Sequence, residues 1–350
     1  MSVHNHLLRT AREQLPSLLV PGACASRAEV AEAVNRNQFL TGAFGVGAGA
    51  LVAPPADDSM DPTAAVSAPT AHYRRLESTV ATGQLARAVE AHLGLATEAV
   101  ARHDSRAGHA ALAEAAGLAA WLAADRHDTG TARRRYRTAI EHAERADHDL
   151  LTAYMRGSLG QFAVETGDIN QGLRLLARTA DELPQRAPDA ARAWLASLRA
   201  QGLADQGNAD QSRRALRHAE ELAGRDRAEV AWPWLFPFGI AKTARHQADT
   251  FARLGDARAA RDAYESAGVT LAAPKPRAMA QLAQARVRAG AGRVDEGCRF
   301  AAAALRVGHA YGSERILAGV RNFRATLPSR SVETAELDTA ITELYEGDSW

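Results

Sequence analysis

The chain has 350 residues, 46% of them hydrophobic, which is enough to bury a sizeable core and to build two units or one long repeat array. A formal net charge of +1 leaves no global field to draw the chain to nucleic acid or an anionic membrane, and the 5% of aromatics argues against a stacking surface for single strands. The two cysteines, Cys24 and Cys298, are far apart and outside any CxxC pair, so there is neither a disulfide framework nor a thiolate metal cage.

Two helical patterns open the chain, NHLLRTAREQL (5–15) and SRAEVAEAVN (26–35), with a proline- and glycine-containing linker between them. The next stretch, NRNQFLTGAFGVGAGALVAPPA (35–56), admits several readings. Gly45, Gly47 and Gly49 do not form GxGxxG, no strand precedes them, and the lysine and hydroxyl residue of a P-loop are missing. Phe39 to Ala53 spans 15 residues, against roughly 20 needed to cross a hydrocarbon core. Arg36, Phe39 and Leu40 fit part of a twin-arginine export motif, but Asn37 stands in place of the second arginine and helical sequence lies upstream. The stretch is therefore expected to pack as a small-residue apolar segment and to lead into a flexible linker, APPADDSMDPTAAVSAPT (53–70). The chain is expected to be cytoplasmic, with no membrane partner.

Leu85, Val89, Leu93, Ala96 and Val100 then fall at helical spacing and predict a helix pair starting near Tyr73. Beyond it a turn signature recurs at Asp128, Gly167-Asp168, Gly207-Asn208, Gly255-Asp256 and Gly292-Arg293, at intervals of 40, 40, 48 and 37 residues. Four positions after each turn stand Ala132, Gly172, Ser212, Ala260 and Gly297, all small. Eight after stand Tyr136, Leu176, Leu216, Tyr264 and Ala301, and eleven after stand Ala139, Thr179, Ala219, Ala267 and Ala304. Eight before stand Ala120, Gly160, Ala200, Ala248 and Ala285. These offsets keep one helix face toward its neighbour, large where space must be filled and small where backbones cross. At the C-terminus Ser331 is placed to cap a helix with Leu337, Ile341 and Leu344 on one face and Glu333, Glu336 and Glu343 off it, which suits a terminal repeat with a wet outer face.

The repeated register resembles that of tetratricopeptide arrays over roughly residues 107–308. The resemblance implies an all-α, tetratricopeptide-like α-solenoid of helix pairs over 71–350, behind an incomplete helical segment (1–35) and an apolar stretch and linker (36–70). The first two patterns are similar to the opening of actinobacterial helix-turn-helix regulators that carry such arrays. Leu7, Leu8, Arg9, Ala11 and Arg12 match the first element, and Ser26, Arg27, Glu29, Ala31, Glu32 and Asn35 match the second. Those regulators insert a recognition helix into the major groove; here the small-residue stretch follows Asn35 directly, where that helix should start. The resemblance implies a transcriptional regulator, with DNA read by a homodimer or through a partner, or else an interaction adaptor that has lost DNA binding.

No HExxH, GxSxG or paired cysteine and histidine is present, so no enzymatic activity and no cofactor are expected. EHAERADHD (141–149) gathers Glu141, His142, Glu144, His148 and Asp149, which read as a solvated helix end rather than a metal site. In ARRRYR (132–137), Arg133 and Arg137 share a face beside the core Tyr136. The richest candidate is AWPWLFPFGIAKTARHQAD (231–249), where Trp232, Trp234, Phe236 and Phe238 crowd between prolines, followed by Lys242, Arg245 and His246. Aromatics at the mouth of a superhelical groove can supply anchoring pockets for a peptide or small ligand, with the basic residues meeting a carboxylate, and the concave face of such arrays takes protein or peptide partners; equally, the aromatics fill the junction that lengthens this repeat.

Overall fold

A computed structural model describes residues 62–225, 238–328 and 332–347. The two N-terminal patterns, the apolar stretch, Trp232, Trp234, Phe236 and Ser331 lie outside the described residues. The chain divides into two units, Met1–Ser59 and Met60–Trp350. Within the second unit every regular element described is helical, and no strand occurs among the described residues. In chain order these are α1 (Pro62–Leu76), α2 (Thr82–Arg102), α3 (Arg106–Asp125), α4 (Thr129–Arg145), α5 (Asp149–Glu165), α6 (Ile169–Asp181) and α7 (Asp189–Asp205). There follow α8 (Ala209–Arg225), α9 (Ile240–Arg253), α10 (Ala257–Ala267), α11 (Pro274–Gly290), α12 (Val294–Tyr311), α13 (Glu314–Ala325) and α14 (Val332–Gly347).

The turn signature works through backbone conformation. Gly167 lies at φ +88°, in the region that only glycine enters without strain, and Gly207, Gly255 and Gly292 repeat the conformation. Asp168 N–H donates back to Ala163 O at 2.8 Å, satisfying a carbonyl that the helix end leaves bare. In the first turn His127 takes the same position at φ +59°. Asp128 and Asp256 cap the next helix, accepting from the backbone N–H of Thr131 and Ala259.

The small positions are where paired helices cross. Ala120, Ala132, Ala200, Ser212, Ala248 and Ala285 are fully buried. At Gly172 a methyl group would stand 2.7 Å from Gly160 O and 2.6 Å from Val164 Cγ2, so only hydrogen fits there. Tyr136, Leu176 and Leu216 fill the wider gap one turn on, each essentially buried.

The pairs form two layers. Each odd helix from α1 to α13 touches the next odd helix, whereas the even helices touch the odd helices before and after them but, α12 with α14 apart, make little contact with one another. Inner helices that meet while outer ones splay make a curved array. The composition follows: α3, pressed from several sides, is alanine-rich and buried nearly all round, while outer α6 and α8 bury a single stripe. At the far end α14 packs on α12, burying Leu337 and tucking Ile341 and Leu344 against the core while Glu336 and Glu343 stay exposed.

One expectation needs correction. The linker drawn to Thr70 ends before Pro62, where α1 begins despite Pro69 inside it. Tertiary packing overrides the proline: Thr70 is buried with its hydroxyl 2.9 Å from His92 Nε2, and Val66 and Tyr73 pack on the core. A contrasting glycine is Gly94, exposed within α2, where an added methyl meets nothing. Gly94→Ala is expected to stabilise the protein by about 0.5–1 kcal/mol through lost unfolded-state freedom, measurable by urea denaturation.

Candidate functional site

The inner helices end in a ladder of charge. Asp125, Glu165 and Asp205 are the last residues of α3, α5 and α7, each three positions before its turn residue, and Arg253 holds that place in α9. Ion pairs tie the rungs together, Arg315 reaching both Asp125 and Glu165 and Arg253 reaching Asp205.

Asp125 is the hub of the upper end, with its side chain only 1% exposed. Thr82 and Ser313 hydroxyls donate to its two oxygens, each at 2.6 Å. Lys275 Nζ lies 3.4 Å from Oδ2 and 2.8 Å from the Thr82 hydroxyl, with its own side chain 3% exposed. Arg315 Nε stands 3.5 Å from Oδ1, its NH1 reaches Glu165 at 3.5 Å, and its guanidinium covers the Trp121 ring at 4.4 Å. The Trp121 indole N–H in turn donates to Glu77 at 2.8 Å.

Burial pushes the Asp125 pKa up, but Arg315, Lys275 and the two hydroxyls outweigh it and hold the carboxyl below its ordinary value. Thr82, Lys275 and Arg315 also sit in the first turns of α2, α11 and α13, so three helix N-termini meet this carboxylate and their dipoles favour it. The hydrogen bond from Lys275 to Thr82 spans 193 positions, so the curved array touches its own beginning. Ordinary solenoid repeats touch only their neighbours; here α13 packs on α3.

The lower end holds part of the candidate cluster. Phe238 is buried at 3% exposure, its ring 5.5 Å from that of His246. His246 Nδ1 accepts from the Gln201 amide at 3.1 Å, and burial, then Arg245 and Lys242, press its pKa well below the ordinary value. Burial and the neighbouring Arg245 bring Lys242 down to about 8. Phe238 and His246 are thus packing residues, while Lys242 and Arg245 are half-buried and keep a path to solvent. Arg253 binds Asp205 at 3.1 Å, and the Tyr264 hydroxyl donates to Asp249 at 3.0 Å. Burial raises the Asp249 pKa, against Arg253, Arg245 and the Tyr264 hydrogen bond.

The other candidates are dispersed. His142 stacks on buried His109, Nδ1 to Nδ1 at 2.8 Å, and His109 Nε2 donates to Asp104 at 2.7 Å. His148 caps α5 by accepting from Leu151 N–H, and Arg156 draws Glu144 and Glu182 together. Among the described residues no group of three or more His, Cys, Asp or Glu is placed to hold a metal, and no helix is long and apolar enough to cross a membrane. Arg133 stands 3.9 Å from Asp168 and Arg213 stands 3.8 Å from Asp256, so the basic run's first arginine bridges repeats, while Arg137 is exposed. No protein-family model and no curated protein matches the chain.

Three buried or half-buried histidines set an acid limit. Burial lowers the pKa of His92, His142 and His246 below 6.5 in the folded state, so as pH falls the unfolded chain takes up their protons first. The stability they confer is complete above 6.5 and is lost as pH drops through their folded values. Asp249, shifted upward, opposes this only nearer the carboxylate range. The melting temperature is expected to fall from pH 7 toward the mildly acidic range, and His246→Gln is expected to flatten that slope.

Proposed function

We propose that the chain is a regulatory protein, a transcriptional regulator whose repeat array receives a peptide, protein or small-molecule signal on its concave face. The observation that carries this reading is the arrangement of α9, α11 and the ends of α5 and α7, which place solvent-reachable charged side chains on the inner layer. An inner layer that carries solvent-reachable charge can meet the polar groups of such a ligand. The resemblance of residues 5–35 to the opening of helix-turn-helix regulators supports the DNA side and a cytoplasmic place of action. A second reading, an adaptor without DNA binding, is favoured by the small-residue stretch that follows Asn35 in place of a recognition helix.

Fluorescence anisotropy of the full chain on its own upstream DNA and on a scrambled duplex separates the two. The regulator reading expects sequence-selective binding that survives a rise from about 50 to about 200 mM salt, a range that strips non-specific phosphate contacts. Equal binding to both duplexes, lost with salt, leaves the adaptor.

A further inference from the structure

The seam that closes the array on itself joins two separate apolar cores. Leu85, Leu118, Leu151 and Leu195 belong to the core of α2, α3, α5 and α7, and Leu282, Ile316, Phe323 and Leu337 to that of α11, α13 and α14. The linkages that meet around Asp125 across this seam are all polar. Lys275 reaches Thr82 and Asp125, the Ser313 hydroxyl donates to Asp125, and Arg315 reaches Asp125 and Glu165 with its guanidinium over Trp121. Closure also leaves a donor unmet: Arg315 Nε is shut off from water and, at 3.5 Å from Asp125, makes no hydrogen bond among the described residues. A desolvated donor without an acceptor costs stability that water would restore. Parting an apolar seam forfeits its burial outright, whereas ions that part regain their hydration, so a buried ionic seam separates more cheaply than its short distances suggest.

We propose that the Asp125 seam is a clasp that opens: α11 to α14 swing away from α2 and α3 as one body, and the array passes between a closed and an open form. Each repeat of a solenoid leans only on its neighbours, so a small rotation at every helix pair between α3 and α11 accumulates into a wide separation of the ends. Each apolar core lies on one side of the seam and is kept in both forms. Opening uncovers Asp125, Lys275 and Arg315, whose side chains are 1%, 3% and 17% exposed when the clasp is shut. The clasp thereby regulates access to the concave face, and that role, though not the opening itself, rests on the reading of this face as a receptor surface.

The test is a distance measurement by double electron–electron resonance on the full chain carrying Cys24→Ser, with nitroxides on Arg87→Cys in α2 and Arg306→Cys in α12, both exposed positions; Cys298 is buried and stays unlabelled. Arg87→Cys with Arg137→Cys in α4 is the control pair on one side of the seam. In the parent one distance is expected to dominate, with any longer one held by less than about a tenth of the molecules. Asp125→Asn, which strands Lys275 and Arg315, is expected to make the longer distance the major one. Arg315→Gln, which leaves Lys275 on Asp125, is expected to raise the longer population by less, and it serves as the second variant should Asp125→Asn fold poorly. The control distance is expected to stay the same in both. The proposal falls if both variants keep the parent's single distance, or if the control pair broadens together with the pair across the seam, which would mean that the fold loosens as a whole. DNA anisotropy separates this failure from that of the regulator: opening without DNA selectivity upholds the clasp alone, and DNA selectivity in an array that stays closed removes the clasp alone.

Discussion

Asp125→Ala is expected to cost about 3–5 kcal/mol of folding stability, the range for deleting one partner of a buried ion pair. The loss comes less from the missing attraction than from what stays behind. Lys275, 3% exposed, is left without the carboxylate, and the Thr82 and Ser313 hydroxyls lose their acceptor. Asp125→Asn separates the two effects, since an amide keeps the shape and still accepts one hydroxyl hydrogen bond but leaves Lys275 and Arg315 unbalanced. If the charge dominates, the asparagine variant loses most of what the alanine variant loses in a urea titration. If the hydroxyl hydrogen bonds dominate, it recovers most of the loss, and the account of the hub as an electrostatic closure is wrong. A double variant, Asp125→Ala with Lys275→Met, is expected to be more stable than Asp125→Ala alone, because it removes the stranded cation.

The second large effect lies at a crossing of paired helices. Gly172→Val forces a Cβ to within 2.7 Å of the Gly160 carbonyl oxygen, a backbone atom that moves only if α5 and α6 separate. Overpacking of this kind costs about 1–3 kcal/mol and more where backbone must shift, so a loss of about 3 kcal/mol or above is expected from chemical denaturation. Gly160→Ala at the facing position is a milder probe, because its nearest obstacle is the Leu176 side chain at 2.9 Å, with the Gly172 carbonyl at 3.3 Å. Equal losses in the two variants would mean that α6 slides freely on α5 and that the small residues do not set the crossing.

The helix pairs were legible in the sequence because their signals are local. A glycine at positive φ, a cap one residue later and small residues at fixed offsets all act within one repeat, and each recurs where the spacing places it. His127 shows that the turn demands the conformation more than the residue. The start of α1 was not legible, since Pro62 and Pro69 carry a linker's composition and only contact with α2 and α3 makes them helical. The Asp125 hub was half visible. An acid three positions before the turn at Asp125, Glu165 and Asp205 is a repeat signal like the others, but its meeting with Lys275 and Ser313 depends on accumulated curvature, which no local window contains. Of the aromatic and basic candidates, Phe238 and His246 answer to packing, and Lys242 and Arg245 are half-buried.

The contact of α13 with α3 also limits how this protein can evolve. Open solenoids lengthen and shorten by duplication or loss of whole repeats, because each unit needs only its neighbours. Here the stretch between Asp125 and Ser313 is counted: one helix pair more or fewer would carry Ser313 and Arg315 past their acceptor and leave Asp125 facing none of the cations that keep it ionised. Descendants of this chain are therefore free to vary in length beyond α1 and α14, and are held to a fixed number of repeats between α3 and α13.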